Sequence, residues 1–539
     1  MVKLTTDYQQ QAADFKVAGI QVPSYVQAQM MATTAQQPIW VHFGGGNLFR
    51  CFHGEIAQKL LNTGELTSGV IVAETYDDQV IEQIYHPYQN RFLQVVMAQN
   101  GQLQKTLMAS VAESIYYNQT NAAGWQRLAE IFANPSLQMV TMSITEKGYG
   151  LTDSHGELTA AAKHDISQQP DQAQTNMGAI ARLLLIRFNQ GQLPIAMVST
   201  DNFSENGQRF QDGILTIARG WVANQLAPQA FVDYLLDSQK VSFPWSMIDR
   251  ITPNPAEKVA QQLAQDGFED TTIVHTAKHT NIAPFGNAEE THYLVIEDSF
   301  PNGRPALEKS GVIMTDRATV NDADQMKVTA CLNPLHTGLA IFGCLLGYQS
   351  IAQEMTDAEL VALTKQLGYQ EDLPVVTDPK IINPRQFIDE VINKRLPNVN
   401  IPDTPQRIAS DTSQKLAIRY GVTLQHYLDQ QADLQQLVAI PLIIAGWLRY
   451  LLAVDDNGAE FAPSPDPLLP ELQAKLAAIQ VGQKNPDLAV IADILANQNL
   501  FGVDLVAAGL TDKIKEYFVE MLAGKGAVRQ TIQQALEEK

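Results

Sequence analysis

The chain is poor in cysteine: 539 residues hold three, Cys51, Cys331 and Cys344, and none stands in a CxxC pair. So sparse and odd a set excludes a disulfide framework and fits a reducing, cytoplasmic setting. Basic residues are scarce too. Lys and Arg total 37 against 58 Asp and Glu, a net charge of −21, so a polyanion would meet repulsion and nucleic acid is not an expected partner. Uninterrupted apolar runs of membrane-spanning length are missing. The strongest, Leu434 to Val454, is broken by Pro441 and Arg449 and reads as a buried core helix, so no membrane partner is expected. The opening stretch, MVKLTTDYQQQAADFKVAGI, lacks the apolar core and cleavage site of a signal peptide. No P-loop and no G-x-S-x-G occurs. His275 and His279 of HTAKH have the spacing of two zinc ligands but lack the glutamate of HExxH, and no metal is expected.

What is present is ordinary globular composition, 45% hydrophobic and 18% charged, in a chain long enough for more than one core. From Pro38 to about Asp249, short β-branched runs (PIWVHF, GVIVAE, LQMVTMSI, LPIAMVS) alternate with longer helical patterns, the trace of βαβ units and a parallel sheet. His275 to Thr315 adds strand-like pieces around the turn PNGRP. Beyond Asp316 helical periodicity dominates: Ala323–Tyr348, Asp357–Leu367, Pro384–Lys394, Thr404–Tyr420, Leu434–Val454 and Leu505–Leu536. The reading is an α/β, Rossmann-type domain with additional strands over 1–315 and a mainly α-helical domain over 316–539.

The first strand runs into Phe43-Gly44-Gly45-Gly46-Asn47-Leu48-Phe49-Arg50, and a helical pattern follows. Glycines at a strand-to-helix turn let the backbone approach a pyrophosphate, which the helix N-terminus then meets with free N–H donors. Gly44 and Gly46 fit the first two glycines of G-x-G-x-x-G, with Phe49 where the third should stand. The second strand ends in Glu74, a carboxylate placed to accept from an adenosine ribose and to repel a 2′-phosphate, so NAD is the expected cofactor. Asp77 and Asp78 are alternatives for that role.

Transfer of hydride to or from a carbinol carbon needs an acid or base on the oxygen and donors for the charge that develops there. Lys327-Val-Thr-Ala-Cys-Leu-Asn333-Pro-Leu-His336 carries such side chains. Asn333 and His336 share a helix face among apolar neighbours, and a lysine near so apolar a site would have a lowered pKa, unless it snorkels to solvent. Asn202 follows the strand LPIAMVS, where α/β folds place ligand contacts. Asp249-Arg250 reads equally as a salt-bridged turn. Arg407 and Lys415, eight apart on one helix, either flank an anion or form a solvated face.

In order, the motifs FGGGNLFR, SITEKGYG (Ser143 to Gly150), STDNFSENG (Ser199 to Gly207), FPWSMIDRITP (Phe243 to Pro253), VIEDSFPNGRP (Val295 to Pro305), LNPLH (Leu332 to His336) and RIASDTSQK (Arg407 to Lys415) resemble the long-chain mannitol dehydrogenase family of polyol and hexuronate oxidoreductases. The resemblance implies metal-independent, NAD-dependent chemistry on a small sugar acid or polyol, by a monomer or small homo-oligomer. It assigns Lys327 as acid/base, Asn202 and Asn333 to the oxyanion, and His336, Asp249, Arg407 and Lys415 to the substrate. VIEDSFPNGRP is most similar to the fructuronate reductase branch, which implies reduction of fructuronate to mannonate. Mannitol 2-dehydrogenase, tagaturonate reductase and, outside catalysis, a silent NAD-binding sensor are the alternatives. One departure stands out: five residues separate Lys327 from Asn333 where the family has four, so either a bulge restores the geometry or the acid/base role does not fall to Lys327.

Overall fold

The apolar runs between Pro38 and Asp249 become neighbours in one parallel six-stranded sheet. From edge to edge its strands are Val111–Tyr116, Val70–Glu74, Trp40–Phe43, Met139–Met142, Ile195–Ser199 and Val241–Ser242. Numbered along the chain this is the order 3-2-1-4-5-6 of a dinucleotide-binding Rossmann sheet. Alternate residues feed two cores. Val41, Phe43, Ile71, Ala73, Val140 and Met142 pack with residues of the helices Ala122–Ala133, Asn176–Asn189 and Asn206–Ala223. Trp40, Val70, Val72 and Met139 pack on the other face with Met30, Ile56 and Leu60. Because both faces are covered, the strands read as continuous apolar runs.

The computed structural model describes residues 1–118, 121–153 and 155–537. The chain divides into two compact units, Met1–Asn321 and Asp322–Lys539. The first unit holds more strand than its sequence announces. An antiparallel pair, Phe92–Met97 with Leu103–Met108, is widened by Ile20–Gln21 and Phe285–Glu289 into a second sheet. The stretch from His275 to Thr315 does supply strands: Tyr293–Glu297 lies between Ser246–Asp249 and Ile313–Thr315. HTAKH forms part of a tight hairpin, Val274–His275 with Asn281–Ile282, where His275 Nδ1 is 2.6 Å from Asn281 Oδ1.

The second unit is built of helices. Its most apolar one, Ala439–Tyr450, is buried along its whole length. It begins where the Glu371 carboxylate accepts the amides of Val438, Ala439 and Ile440 at 2.7, 2.6 and 2.9 Å, which satisfies first-turn donors that have no carbonyl to meet. Pro441 falls in that first turn, where its missing N–H costs nothing. Arg449 turns inward to the carbonyls of Val454 (2.5 Å) and Met521 (3.2 Å). Two expected helices are interrupted. Ala323–Tyr348 changes to a π-turn at Met326–Cys331 and restarts as Asn333–Leu346. Thr404–Tyr420 breaks after Ile408, with Asp411 in the left-handed region (φ 53°) and separate short turns on either side.

Candidate functional site

The glycine loop sits where strand Trp40–Phe43 gives way to a helical run over 47–63. Gly44 has φ 106°, and a Cβ there would collide with the Ser143 carbonyl. Only glycine fits that turn. Gly46 is different: a Cβ on it would meet open space. Arg50 N is the first amide to reach a carbonyl, that of Gly46 at 3.2 Å, so the amides of Asn47, Leu48 and Phe49 are left for a ligand at the positive end of the helix. A cavity of about 600 Å³ opens beside the loop and is lined by Gly44, Gly46, Glu74, Asp77, Thr145 and Thr280 among others. A neighbouring cavity of about 380 Å³ shares Thr75, Tyr117 and Asn176 with it. Phosphate-sized space, free amides and an extended cavity at the carboxyl ends of the strands suit a dinucleotide.

Several expected cofactor contacts take other roles. Phe49 and Arg50 are fully buried. Phe49 belongs to a hydrophobic core, and Arg50 donates to Ala283 O (2.6 Å) and Asn47 Oδ1 (2.7 Å), below the Phe92 ring. Its guanidinium and the Asn47 amide therefore brace the helix from inside, and the Leu48 side chain packs on the same core. Glu74 lines the cavity, but its carboxylate is already engaged by amides: Oε2 accepts from Gly45 (2.8 Å), and Oε1 from Thr75 (3.0 Å), Tyr76 (2.8 Å) and, at 3.4 Å, Asp77. Burial raises its pKa against the pull of those bonds. Glu74 thus shapes the loop by joining the glycine turn to the end of the second strand. Asp77 is buried and accepts from Thr276 Oγ1 (2.7 Å), while Asp78 is exposed.

Asp201, which stands beside Asn202 in the cluster after the strand LPIAMVS, ties two of the quoted motifs together. Its carboxylate accepts from the amides of Ile144 (3.0 Å) and Thr145 (2.8 Å) and from the Tyr149 hydroxyl (2.8 Å). SITEKGYG and STDN are thereby held as one loop pair at the end of the sheet. Asn202 follows on the exposed side. Asp249 closes the strand Ser246–Asp249 and is buried; the Arg250 beside it pairs with Glu55, not with Asp249.

In the second unit Lys327 is 2% exposed, with its ammonium 3.4 Å from Asp324 Oδ1. It lies on the π-turn Met326–Cys331, closed by a bond from Leu332 N to Lys327 O at 3.1 Å. A π-turn is an α-helix with one residue inserted, so the fifth residue between Lys327 and Asn333 is accommodated there as a bulge. Thr423 Oγ1 meets the Thr329 carbonyl at 3.3 Å, and the Tyr420 hydroxyl donates to Pro334 O at 2.9 Å, bracing both sides of the break. Asn333 opens the next helix, with His336 one turn on. Burial, aided by the guanidinium groups of Arg419, Arg407 and Arg395 and opposed by Asp403 at 3.6 Å, lowers the His336 pKa to about 4. The imidazole is neutral at pH 7.

The broken segment corrects the reading of Arg407 and Lys415 as two cations on one helix. Arg407 pairs with Asp403 and is 62% exposed on its side chain. Lys415 turns back to the carbonyls of Ile408 (3.3 Å) and Ser410, and burial pulls its pKa down to about 8. Sequence reasoning missed Arg419, whose guanidinium donates to Thr337 Oγ1 on the helix of His336.

The profile of the mannitol dehydrogenase Rossmann domain matches residues 38–309, and that of the mannitol dehydrogenase C-terminal domain matches 320–522. The chain is 46% identical over 527 residues, 97% of both chains, to a D-mannonate oxidoreductase of Thermotoga maritima. It is 27% identical over 462 residues, 85% of this chain and 88% of the relative, to a polyol:NADP oxidoreductase of Gluconobacter oxydans. Its fold matches that of the Pseudomonas fluorescens mannitol 2-dehydrogenase, solved as a ternary complex with NAD and D-mannitol, with a TM-score of 0.72 and 24% identity over all of both chains.

Proposed function

The chain belongs to the mannitol dehydrogenase family, and on that premise we propose that it is an NAD-dependent oxidoreductase interconverting a keto-hexuronate and an aldonate, D-fructuronate and D-mannonate. The observation that carries the sugar-acid reading is the set of cations, Arg407, Arg419 and Arg395, whose charge bears on a neutral His336. Asp403 already answers Arg407, but Arg419 has no ion pair among the described residues, and a carboxylate substrate matches it where a neutral polyol does not. The relative named D-mannonate oxidoreductase supports the same choice.

The glycine loop, the amides of Asn47 to Phe49 and the cavity beside Gly46 fit a pyrophosphate, with Glu74 and Asp77 at its edge. NADH bound there supplies the hydride. Lys327 donates the proton to the carbonyl oxygen as it becomes an alcohol, and the Asn333 amide donates to the charge on that oxygen beforehand. Asn202 is assigned as a further donor to the oxyanion and Asp249 as a further contact to the substrate. His336, neutral, orients a hydroxyl. The chain works in the cytoplasm as a monomer or small homo-oligomer, without a metal, nucleic acid or membrane partner.

The test is consumption of NADH and of NADPH by the purified protein with D-fructuronate, D-tagaturonate and D-fructose. Fast turnover of fructuronate with NADH, and D-mannonate as product, is the expected result. A preference for fructose would remove the carboxylate from the reading and leave a polyol dehydrogenase. Absence of turnover with all three would favour a silent NAD-binding protein.

A further inference from the structure

Most of the arginines and lysines around the helical unit's motifs are engaged. Arg529 reaches Asp357 (2.8 Å) and Glu359, and Arg449 donates to backbone carbonyls. The two cations of the RIASDTSQK motif are committed as well: Arg407 to Asp403, and the Lys415 ammonium to the carbonyls of Ile408 and Ser410. Arg419 is held more thinly than these, by one neutral hydroxyl among the described residues. It lies on the π-turn Ala417–Gly421 with its side chain half-buried. Its guanidinium donates to the Thr337 hydroxyl, and among the described residues no carboxylate forms an ion pair with it.

The position of this unpaired charge is fixed from two sides. Next to it Tyr420 is buried, and its hydroxyl donates to Pro334 O at 2.9 Å, pinning the turn to the start of helix Asn333–Leu346. Thr337, which the guanidinium meets, donates in turn to Asn333 O at 2.9 Å. Arg419 is thus held one helical turn from Asn333 and beside His336. Taking a guanidinium partly out of water without a counterion is costly, and an anion that enters offsets that cost. Burial lowers its pKa to about 10, which still leaves it charged at pH 7. Its planar fork matches a carboxylate bidentately, which a lysine cannot do.

We propose that Arg419 is the specificity-determining residue that binds the carboxylate of the sugar acid, with Arg407 and Lys415 supplying background positive charge. The inference rests on the sugar-acid reading given above. It separates acids from neutral ketoses of the same length because the hydroxymethyl end of a neutral sugar leaves the guanidinium unpaired.

The test compares wild type with Arg419→Gln, Arg419→Lys and Thr337→Val. With D-fructuronate and NADH, Arg419→Gln is expected to lose about 30-fold or more in kcat/KM, carried by KM, because one partner of a desolvated charge pair is removed. Arg419→Lys should recover part of that loss. Thr337→Val, which frees the guanidinium from its anchor, should raise KM by a smaller factor and leave kcat in place. The dissociation constant of NADH should not change in any of them. An unchanged KM in Arg419→Gln overturns the inference while leaving the reaction standing. If Arg419→Gln does not fold, an unchanged KM in both Arg419→Lys and Thr337→Val overturns it equally. If wild type turns over no sugar acid, the reaction reading has failed, and calorimetric binding of D-mannonate decides the rest. Binding by wild type that Arg419→Gln weakens keeps the carboxylate site, and absence of binding by wild type removes it.

Discussion

The amide of Leu332 donates to the carbonyl of Lys327 at 3.1 Å, across five residues of chain instead of the four of an α-helix. That one bond reconciles the K-x5-N spacing with the joint role proposed for Lys327 and Asn333. It also makes the position of Lys327 depend on an inserted residue.

Deleting Val328 should convert the π-turn to plain α-helix and rotate Lys327 by about 100° relative to Asn333. The expected outcome is a kcat lower by about 100-fold or more, comparable with Lys327→Ala, with NADH binding intact. The helical circular dichroism signal should stay at the wild-type level, since an α-helical turn replaces a π-turn. Wild-type kcat in the deletion variant would show that the bulge does not position the lysine.

Gly44 and Gly46 should fail in different ways. Gly44→Ala forces a side chain into the Ser143 carbonyl at φ 106°, so the unfolding midpoint should drop along with cofactor affinity. Gly46→Ala puts a methyl group into open space, so stability should hold while the dissociation constant of NADH rises by about tenfold or more. Thermal melts beside fluorescence titration with NADH separate the two. Equal effects of both substitutions on affinity and stability would place the phosphates elsewhere.

His336 should leave its mark on acid stability. Its pKa is about 4 in the folded chain, below the ordinary value near 6.5, so the unfolded chain takes up a proton that the folded one refuses. The stability tied to its neutral form is fully present above about pH 6.5 and is lost as pH falls toward 4. His336→Gln should therefore flatten the decline of unfolding free energy between those limits, measured by urea melts at a series of pH values. An identical slope in the variant would mean that His336 titrates normally.

Much of the Rossmann domain was legible because its central strands are buried on both faces and carry unbroken apolar runs, as in Val70–Glu74 and Ile195–Ser199. The edge strands were not. Val111–Tyr116 is diluted by Glu113, which faces Arg127 at 2.9 Å, and Val241–Ser242 is too short to show a period. The clustering of Lys327, Asn333 and His336 on one short stretch was legible because chemistry and spacing coincide there, and it is the basis of the roles proposed for them. Glu74 stood at the right strand end, but its commitment to four amides depends on how the loop folds back. The break after Ile408 hinges on a left-handed Asp411, a conformation that a helical pattern of side chains does not announce. Arg419 escaped notice because in sequence it is one more arginine on a helical stretch, and its lack of a counterion exists only in three dimensions.

The most direct test follows the hydride itself. D-fructuronate is reduced with NADH deuterated at the transferable nicotinamide position, and the product is examined by nuclear magnetic resonance, with Lys327→Ala run in parallel. D-mannonate carrying deuterium at the former ketone carbon, formed by wild type and not by Lys327→Ala, is the predicted result. Product without deuterium, or equal transfer by the variant, would contradict either the hydride route or the role of Lys327 in it.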